Sequence, residues 1–462
     1  MEEKKQEQQN KEQFKEKELD LSSITNPKEL LEESTSKLEK FGGFDLIEGT
    51  IDGIQKMNPK KKATKQIFLS EKQFKAQRDK LKETLKIWAD LLSQQAGIPE
   101  LVESCETKSK EAEKTLKENL KKAIEVTKDL ERSYRSIALF YNNTENDQVK
   151  YVSLMNASPD QLRDLDNPRF INAVSSELDK NFDRLSLKNN YSLMVVPGYL
   201  GSKAVVDKWG KFAHKNKVLM VTDFRNLEDV ESTMEMFEEE SLNGGDAHLA
   251  NVIMACNWLV GRQKYGEVGE DEDLFVPPSS ALAGKLYNTS GTIMSQGAAG
   301  KKYGTLNEVS GARYDLKKSE IAALNDLNVI PMVFEDNRVM AFSNKTLFNG
   351  NNIGLQEYPI VRVFDWIGKV FMNFFNDVAF QKFDTKLQAD IREEIILFLN
   401  DYKGKLFEDY TFDPGKGIVQ DKVTKDISIN VHIKPFFAAK NFYIKLSGHD
   451  GKDGREWEQE VE

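Results

Sequence analysis

Ser192-Leu-Met-Val-Val-Pro-Gly198 is a short apolar run closed by a Pro-Gly breaker, and Lys217-Val-Leu-Met-Val221 repeats it after a helical stretch that ends near His214. A continuous apolar run of this length suits a strand covered on both faces, and the intervening helical pattern supplies the cover. Another helical pattern follows over 228–239. Runs alternating with helices predict βα units, and hence an α/β fold.

Working outward, residues 149–154 read as a further strand, and Ser158-Pro159 as an N-cap with proline at the first helical position. Residues 167–183 read as helix, whereas 251–260 are compatible with helix or strand. A Gly/Ser-rich stretch over 283–311 interrupts the pattern. Beyond it, 329–335 and 338–343 read as a hairpin across Asp336-Asn337. Two helices follow: an aromatic one over 358–380, and one over 385–402 with Leu387, Ile391, Ile395 and Leu399 in register and Gly404 as C-cap. Phe364, Trp366, Phe371, Phe374, Phe375 and Phe380 on the first have the spacing of a helix buried on much of its circumference.

Toward the N-terminus the character is helical. Residues 1–20 are rich in Lys, Glu and Gln and read as a disordered charged tail. The region 21–145 reads as helical. Within it Phe44, Ile47, Ile51 and Ile54 share one face after the breaker Gly42-Gly43. That piece suits docking onto its own domain, or a short recognition helix near a terminus. A capping-box pattern at Ser70–Gln73 opens a helix with Phe74, Leu81, Leu85, Trp88 and Leu92 as its stripe. Gly97-Ile-Pro99 ends it, and a longer helix to about Phe140 follows, the two reading as an antiparallel pair.

At the other end, Ile427, Ile429, Val431 and Ile433 alternate with Ser428, Asn430 and His432, the period of a half-buried strand. After Lys434-Pro435, Phe442, Ile444 and Leu446 alternate with Tyr443 and Lys445. Residues 449–462 read as a charged tail. The pair over 426–448 is either a terminal hairpin on its own core or a set of open edges for pairing with another chain.

Bulk properties narrow the function. At 39% apolar and 30% charged over 462 residues, the chain has material for a large core. A net charge of −10 and a pI near 5.3 oppose nucleic acid as principal partner, because phosphate neutralisation needs a basic surface. Cys105 and Cys256 stand far apart without a CxxC, which fits reduced thiols in a cytosolic protein. The N-terminus lacks a signal-peptide h-region, and no apolar run approaches the roughly 18 residues of a spanning helix. A cytoplasmic protein without direct membrane insertion is expected.

No catalytic constellation emerges. Gly300-Lys301 lacks both the first glycine and the hydroxyl of a phosphate-binding P-loop. His214, His248, His432 and His449 show neither HxxxH nor HExxH spacing, and no GxSxG elbow accompanies them. Glu238-Glu-Glu240 and 270–273 lack the ligand alternation of a calcium loop. No catalytic residue, cofactor or metal is expected.

Several blocks in succession resemble one family. They are Tyr151-Val-Ser-Leu-Met-Asn-Ala-Ser-Pro-Asp-Gln-Leu162, Phe275-Val-Pro-Pro-Ser-Ser-Ala-Leu-Ala-Gly284, the helix-plus-hairpin over 321–342, Tyr358-Pro-Ile-Val-Arg-Val-Phe-Asp-Trp-Ile367, and the closing strands 427–448. Over 149–448 this order is similar to the large subunit of the type VI secretion contractile sheath, the TssC/VipB family in its Bacteroidetes-like variety, and more distantly to phage tail sheaths. The resemblance implies a tail-sheath-like α/β core over 146–425. It implies a structural, non-enzymatic subunit that pairs with a smaller TssB-like partner. Six-fold rings would then stack into a helical tube around Hcp-like rings on a baseplate, and contract. Ile427, Ile429, Val431, Ile433, Phe442, Ile444 and Leu446 become candidates for strands shared between subunits. Phe44, Ile47, Ile51 and Ile54 become candidates for the helix that a ClpV-type AAA+ unfoldase recognises. The sheath of an extracellular contractile or phage-like tail particle is an alternative, and an α/β nucleotide-binding enzyme is one of another class.

Overall fold

The computed structural model describes residues 71–94, 98–144, 149, 151–187, 190–288, 294–413, 417–421, 423, 426–439, 444–449 and 456–461. The tail over 1–20, the face of Phe44, Ile47, Ile51 and Ile54, and Phe442 lie outside them.

Two compact units divide the chain at Leu120. The first holds helix α1 (Lys75–Gln94) and the opening turns of helix α2 (Ile98–Asn143). Pro99 is tolerated there because the first turn leaves its N–H groups without intrahelical partners anyway. In the second unit α2 continues to Asn143. The chain then crosses residues 151–158 as backbone with no ladder partner among the described residues, where alternation predicts a strand. Helix α3 (Pro159–Arg163) opens with a complete capping box: the Ser158 hydroxyl accepts from the Gln161 N–H, and the Gln161 side chain accepts from the Ser158 N–H. Helix α4 (Arg169–Phe182) follows.

The expected βα units then appear as β1 (Leu193–Val196), α5 (Lys203–Lys215), β2 (Leu219–Asp223), α6 (Val230–Glu240) and β3 (Val252–Cys256). The ambiguous 251–260 resolves into two strands, β3 and β4 (Leu259–Arg262), because Asn257 takes the left-handed conformation (φ 66°) between them. Strand β5 (Leu274–Val276) pairs antiparallel with β4. The Gly/Ser-rich region contains helix α7 (Ser279–Asn288) and the single turn α8 (Gly300–Tyr303). Helix α9 (Lys318–Asp326) leads to the hairpin of β6 (Ile330–Glu335) and β7 (Arg338–Ala341). Asp336 and Asn337 both have positive φ, 52° and 57°, the backbone of the two-residue turn that matches strand twist. Helices α10 (Tyr358–Val378) and α11 (Thr385–Tyr402) complete this part, the second capped by the Asp384 carboxylate accepting from the Leu387 N–H at 2.9 Å.

The main sheet has the order β1-β2-β3-β6-β7; the first four strands are parallel and β7 is antiparallel. Successive side chains alternate between two apolar layers. Met220, Val252, Met254 and Cys256 pack with Ile171, Val206, Trp209, Ala213 and Phe237 from α4, α5 and α6. Val221, Ile253, Ala255 and Met332 pack with Leu139 of α2 and Ala281, Leu282 and Leu286 of α7. Gly284 permits that second layer, since a Cβ there would stand 2.3 Å from the Phe140 carbonyl oxygen on α2. The end of α2 is also stitched down: Arg132 Nε donates to the Phe275 carbonyl at 3.1 Å and Arg135 Nη1 to that of Gly261 at 2.9 Å.

The C-terminal segment departs from its sequence reading twice. The run from Ile427 to Ile433 is two strands, β10 (Ile427–Ile429) and β11 (His432–Pro435), not one. β10 pairs with β9 (Ile418–Gln420), while β11 pairs with β8 (Phe407–Thr411). Asn430, between them, donates its N–H to the Gly417 carbonyl and so extends the β9–β10 ladder by one pair, after which the chain changes partner to β8. The second run forms β12 (Ile444–His449), which pairs with β13 (Glu456–Val461) inside the stretch read as a charged tail. Its glutamates masked the strand signal, since Glu456, Glu458 and Glu460 occupy every alternate position.

Candidate functional site

The C-terminal strands rest on a third apolar cluster. Val363 and Ile367 of α10 meet Ile391, Ile395 and Leu399 of α11, with Leu406 and Phe407 closing the end. Around them Trp366, Phe398 and Tyr402 form a ring contact set with centroids 4.9–5.6 Å apart. The aromatic helix is core on this side alone: Phe364 is 43% exposed and Phe380, past the helix end, is fully exposed, where the spacing predicts burial on much of the circumference. Ile418, Ile429, Val431 and Ile433 are half-buried against the same cluster. Ile427 is 42% exposed, and Phe436 and Phe437 are also exposed.

Strand by strand, the candidate residues thus divide. Ile429, Val431 and Ile433 hold the ribbons to their own body, and Ile427 projects outward. Ile444 and Leu446 lie in β12, on a separate two-stranded ribbon. The three ribbons β8–β11, β9–β10 and β12–β13 each contain two strands, so every strand keeps one ladder edge open among the described residues. Open edges are ordinarily covered, charged or kept short. Here they are short and flanked by charge: Lys434 pairs with Glu408 and Lys403 with Asp409, both at 2.6 Å on the surface. The exposed pair Phe436-Phe437 sits just past β11, outside the residues that the alternation singles out.

One face of α10 ties this part to the main sheet through polar groups. Asp365 accepts from Asn251 Nδ2 at 2.6 Å and stands 3.6 Å from Lys217 Nζ. Lys369 Nζ donates to the Tyr191 carbonyl at 2.7 Å, Asn373 Oδ1 accepts from the Leu187 N–H at 3.0 Å, and Asn376 Nδ2 donates to the Leu185 carbonyl at 2.9 Å. Burial raises the Asp365 pKa and lowers that of Lys369 to about 8, each opposed by the other's charge.

Elsewhere two buried charges carry structural work that the sequence did not announce. Arg262 makes bidentate contacts to Glu131 of α2 and to Glu270, and stacks on Tyr265 at 4.2 Å. Asp223, at the carboxyl end of β2, is fully buried. Its oxygens accept from the Gly198 N–H at 2.8 Å, the Ser279 N–H at 2.7 Å and the Ser279 hydroxyl. Burial pushes its pKa up to about 7 against those hydrogen bonds. The carboxyl end of a parallel sheet is where α/β proteins bind ligands. Here the carboxylate is consumed in joining β1, β2 and the start of α7.

His214 and His248 are satisfied by Asn251 and Asp207 at 2.7 and 3.2 Å, and His432 and His449 lie in separate strands. Among the described residues no group of three or more His, Cys, Asp or Glu side chains is placed to hold a metal, and no helix is long and apolar enough to cross a membrane.

Comparison with curated proteins gives no match. Among solved structures, the chain is similar to a chain of the anti-feeding prophage baseplate at 14% identity, covering 68% of this chain and 80% of that one, with a TM-score of 0.48. It is similar to the anti-feeding prophage helical sheath in the contracted state at 16% identity, covering 66% and 79%, with a TM-score of 0.43. The sheath tail protein of Desulfitobacterium hafniense is similar at 13% identity over 64% and 59%, with a TM-score of 0.38. Family models match in three consecutive blocks. Residues 31–120 match the TssC/VipB-like N-terminal region, 122–349 the type VI secretion system TssC/VipB central domain, and 357–462 the TssC/VipB-like C-terminal domain. The chain belongs to the TssC/VipB family, the sheath proteins of the type VI secretion system.

Proposed function

We propose that this chain is the large subunit of a contractile sheath that co-assembles with a smaller TssB-like subunit around an Hcp-like tube, and that β12 and β13 pair with strands of neighbouring copies. The observation that carries the reading is the set of two-stranded ribbons with open edges at the chain's end, outside a sheet already covered on both faces. Main-chain ladders between copies would keep a tube linked while each body moves rigidly. In this reading the work of contraction is stored in the lattice, so the subunit is no enzyme and needs no cofactor. It acts in the cytoplasm, docked on a baseplate. Phe44, Ile47, Ile51 and Ile54 remain the proposed contact for a ClpV-type unfoldase.

The test is a truncation after Ala439, which removes β12 and β13 but leaves Ile429, Val431 and Ile433 on the third cluster. Co-expressed with the small subunit, the full chain should give hollow tubes by negative-stain microscopy, and the truncated chain none, with its melting temperature unchanged. Normal tubes from the truncated chain would remove the role given to the terminal strands.

A further inference from the structure

Over its second half, helix α2 has two faces of opposite character. Arg132, Arg135, Leu139 and Asn143 turn toward the body: the arginines hold the Phe275 and Gly261 carbonyls, Leu139 enters the second apolar layer, and Asn143 Nδ2 donates to the Asn307 carbonyl at 3.2 Å. On the other side Ala123, Thr127, Leu130, Tyr134, Ile137 and Tyr141 succeed one another in alternating steps of four and three, and all are exposed. Leu120 and Leu116 continue the steps backward, exposed as well. Such a seven-residue repeat is the seam of a coiled coil, and nothing is seated on it among the described residues. Leu130 and Tyr134 are 73% and 70% exposed. A row of apolar side chains of this length on one helix marks an interaction surface. Helix α1 is too short to cover it: with 20 residues, folded back at the join, it would end opposite about residue 118.

We infer that this face of α2 pairs antiparallel with the same face of a second copy of the chain, about a two-fold axis beside residues 128–129. The sizes along the seam select that occupant. About this axis Ala123 stands opposite Tyr134 and Thr127 opposite Leu130, small against large in each layer, and symmetry repeats both pairs in reverse order. Leu120 then faces Ile137, and Leu116 faces Tyr141. The Thr127 hydroxyl donates to the Ala123 carbonyl of its own helix at 2.8 Å, which leaves its methyl for the partner. A parallel pair would set Ala123 on Ala123 and Tyr134 on Tyr134, a hole beside a bulge. Charge agrees with the antiparallel choice. On the flanks of that seam Lys117 comes opposite Ala138 and Glu131 opposite Ile124, so no like charges meet there. The exposed apolar side chains offer several hundred Å² per copy, on the order of the ~800 Å² per partner of a stable interface. A two-fold pair is closed, so it joins two copies and does not grow into a tube. The pairing stands independently of the proposed function.

The test measures the mass of the isolated full chain by sedimentation velocity across concentration. The unaltered chain should pass from monomer to dimer. Leu130→Lys should raise the dissociation constant about a hundredfold, because each pair carries the change twice at roughly tenfold apiece. Ala123→Tyr should weaken the pair by setting tyrosine against tyrosine, and Tyr134→Ala by leaving a hole. Ala123→Tyr and Tyr134→Ala combined in one chain should restore it, a rescue that requires a second copy in this register. As monomers, all these variants should melt with the unaltered chain, since every altered side chain is exposed there.

A chain that stays monomeric up to tens of micromolar overturns the inference. So does a dimer that Leu130→Lys leaves intact, which would lie on another surface. A dimer weakened by each single change and not regained in the combined variant overturns the antiparallel register. Alkylation of Leu130→Cys, in a chain that also carries Cys105→Ser, reads what covers the face. Slow labelling of the monomer assigns it to the chain's own undescribed residues. Slow labelling only with the small sheath subunit co-expressed assigns it to that protein, and leaves the proposed function standing. Either of these last two results overturns the inference.

Discussion

The central sheet and the C-terminal ribbons are built from similar β-formers and end in opposite conditions. In the sheet, β2 and β3 are buried along their whole length, with helices on both faces. In the ribbons, strands of three to six residues pair in twos, and in β8 to β11 one face lies on the third cluster and the other faces out. The difference lies in the residues opposite. Met220 and Val221 point into two apolar layers, whereas Ile427, Glu408 and Asp409 point into solvent. An element whose two faces are covered is finished within its own chain. One with a covered face and an open edge keeps its main-chain donors and acceptors for something else.

Substitutions can break or sharpen this contrast. Trp209→Ala, at 1% exposure in the layer between α5 and the sheet, should cost about 3–5 kcal/mol and abolish cooperative unfolding at moderate denaturant. A loss under roughly 1 kcal/mol by denaturant titration would mean that this layer is not the stabilising half. Arg262→Ala leaves Glu131 and Glu270 facing each other at the docking point of α2, and should cost about 3 kcal/mol. Exchange should rise in the last turns of α2 before it rises in β2 or β3.

Asp223 gives a pH-dependent test. Its folded pKa, about 7, lies above its ordinary value of 3.8, so the folded state holds the proton more tightly. Its contribution to stability is therefore fully present below about pH 4 and declines as pH rises toward 7, becoming level above that. Asp223→Asn should flatten this part of the profile, and the difference between the two curves should be confined to that window. Parallel curves would show that the carboxylate stays charged throughout. The smallest effect is expected at the ribbons. Ile427→Lys should change monomer stability by no more than about 0.5 kcal/mol, because the side chain is already 42% exposed. A large drop in melting temperature would mean that Ile427 belongs to the core.

Where local signals and long-range packing agree, the fold was legible from residues alone. The apolar runs at 193–196 and 219–221, the Asp336-Asn337 turn and the register of Leu387, Ile391, Ile395 and Leu399 each carry their own instruction. Legibility failed where the instruction is non-local. The change of partner after Asn430, from β9 to β8, depends on where those two earlier strands lie, which no period-two pattern contains. Strand β13 is carried by pairing with β12 against the poor strand propensity of three glutamates. Residues 151–154 show the reverse case, a strand signal with no ladder among the described residues. The candidate site was read as a row of alternating apolar residues. Its division into Ile429, Val431 and Ile433 turned inward and Ile427 turned outward needed the position of α10 and α11.

The polar face of α10 has one further consequence, for how this protein can change over time. Lys369, Asn373 and Asn376 do not read side chains on the facing segment; they read the main chain at Tyr191, Leu187 and Leu185. Leu185 itself is 82% exposed. The constraint is one-sided. Leu185 can drift in sequence so long as the path of the chain is kept, while the three α10 positions and the buried Leu187 cannot. A deep mutational scan scored by folding should find 185 permissive and 187, 369, 373 and 376 intolerant, across the same joint.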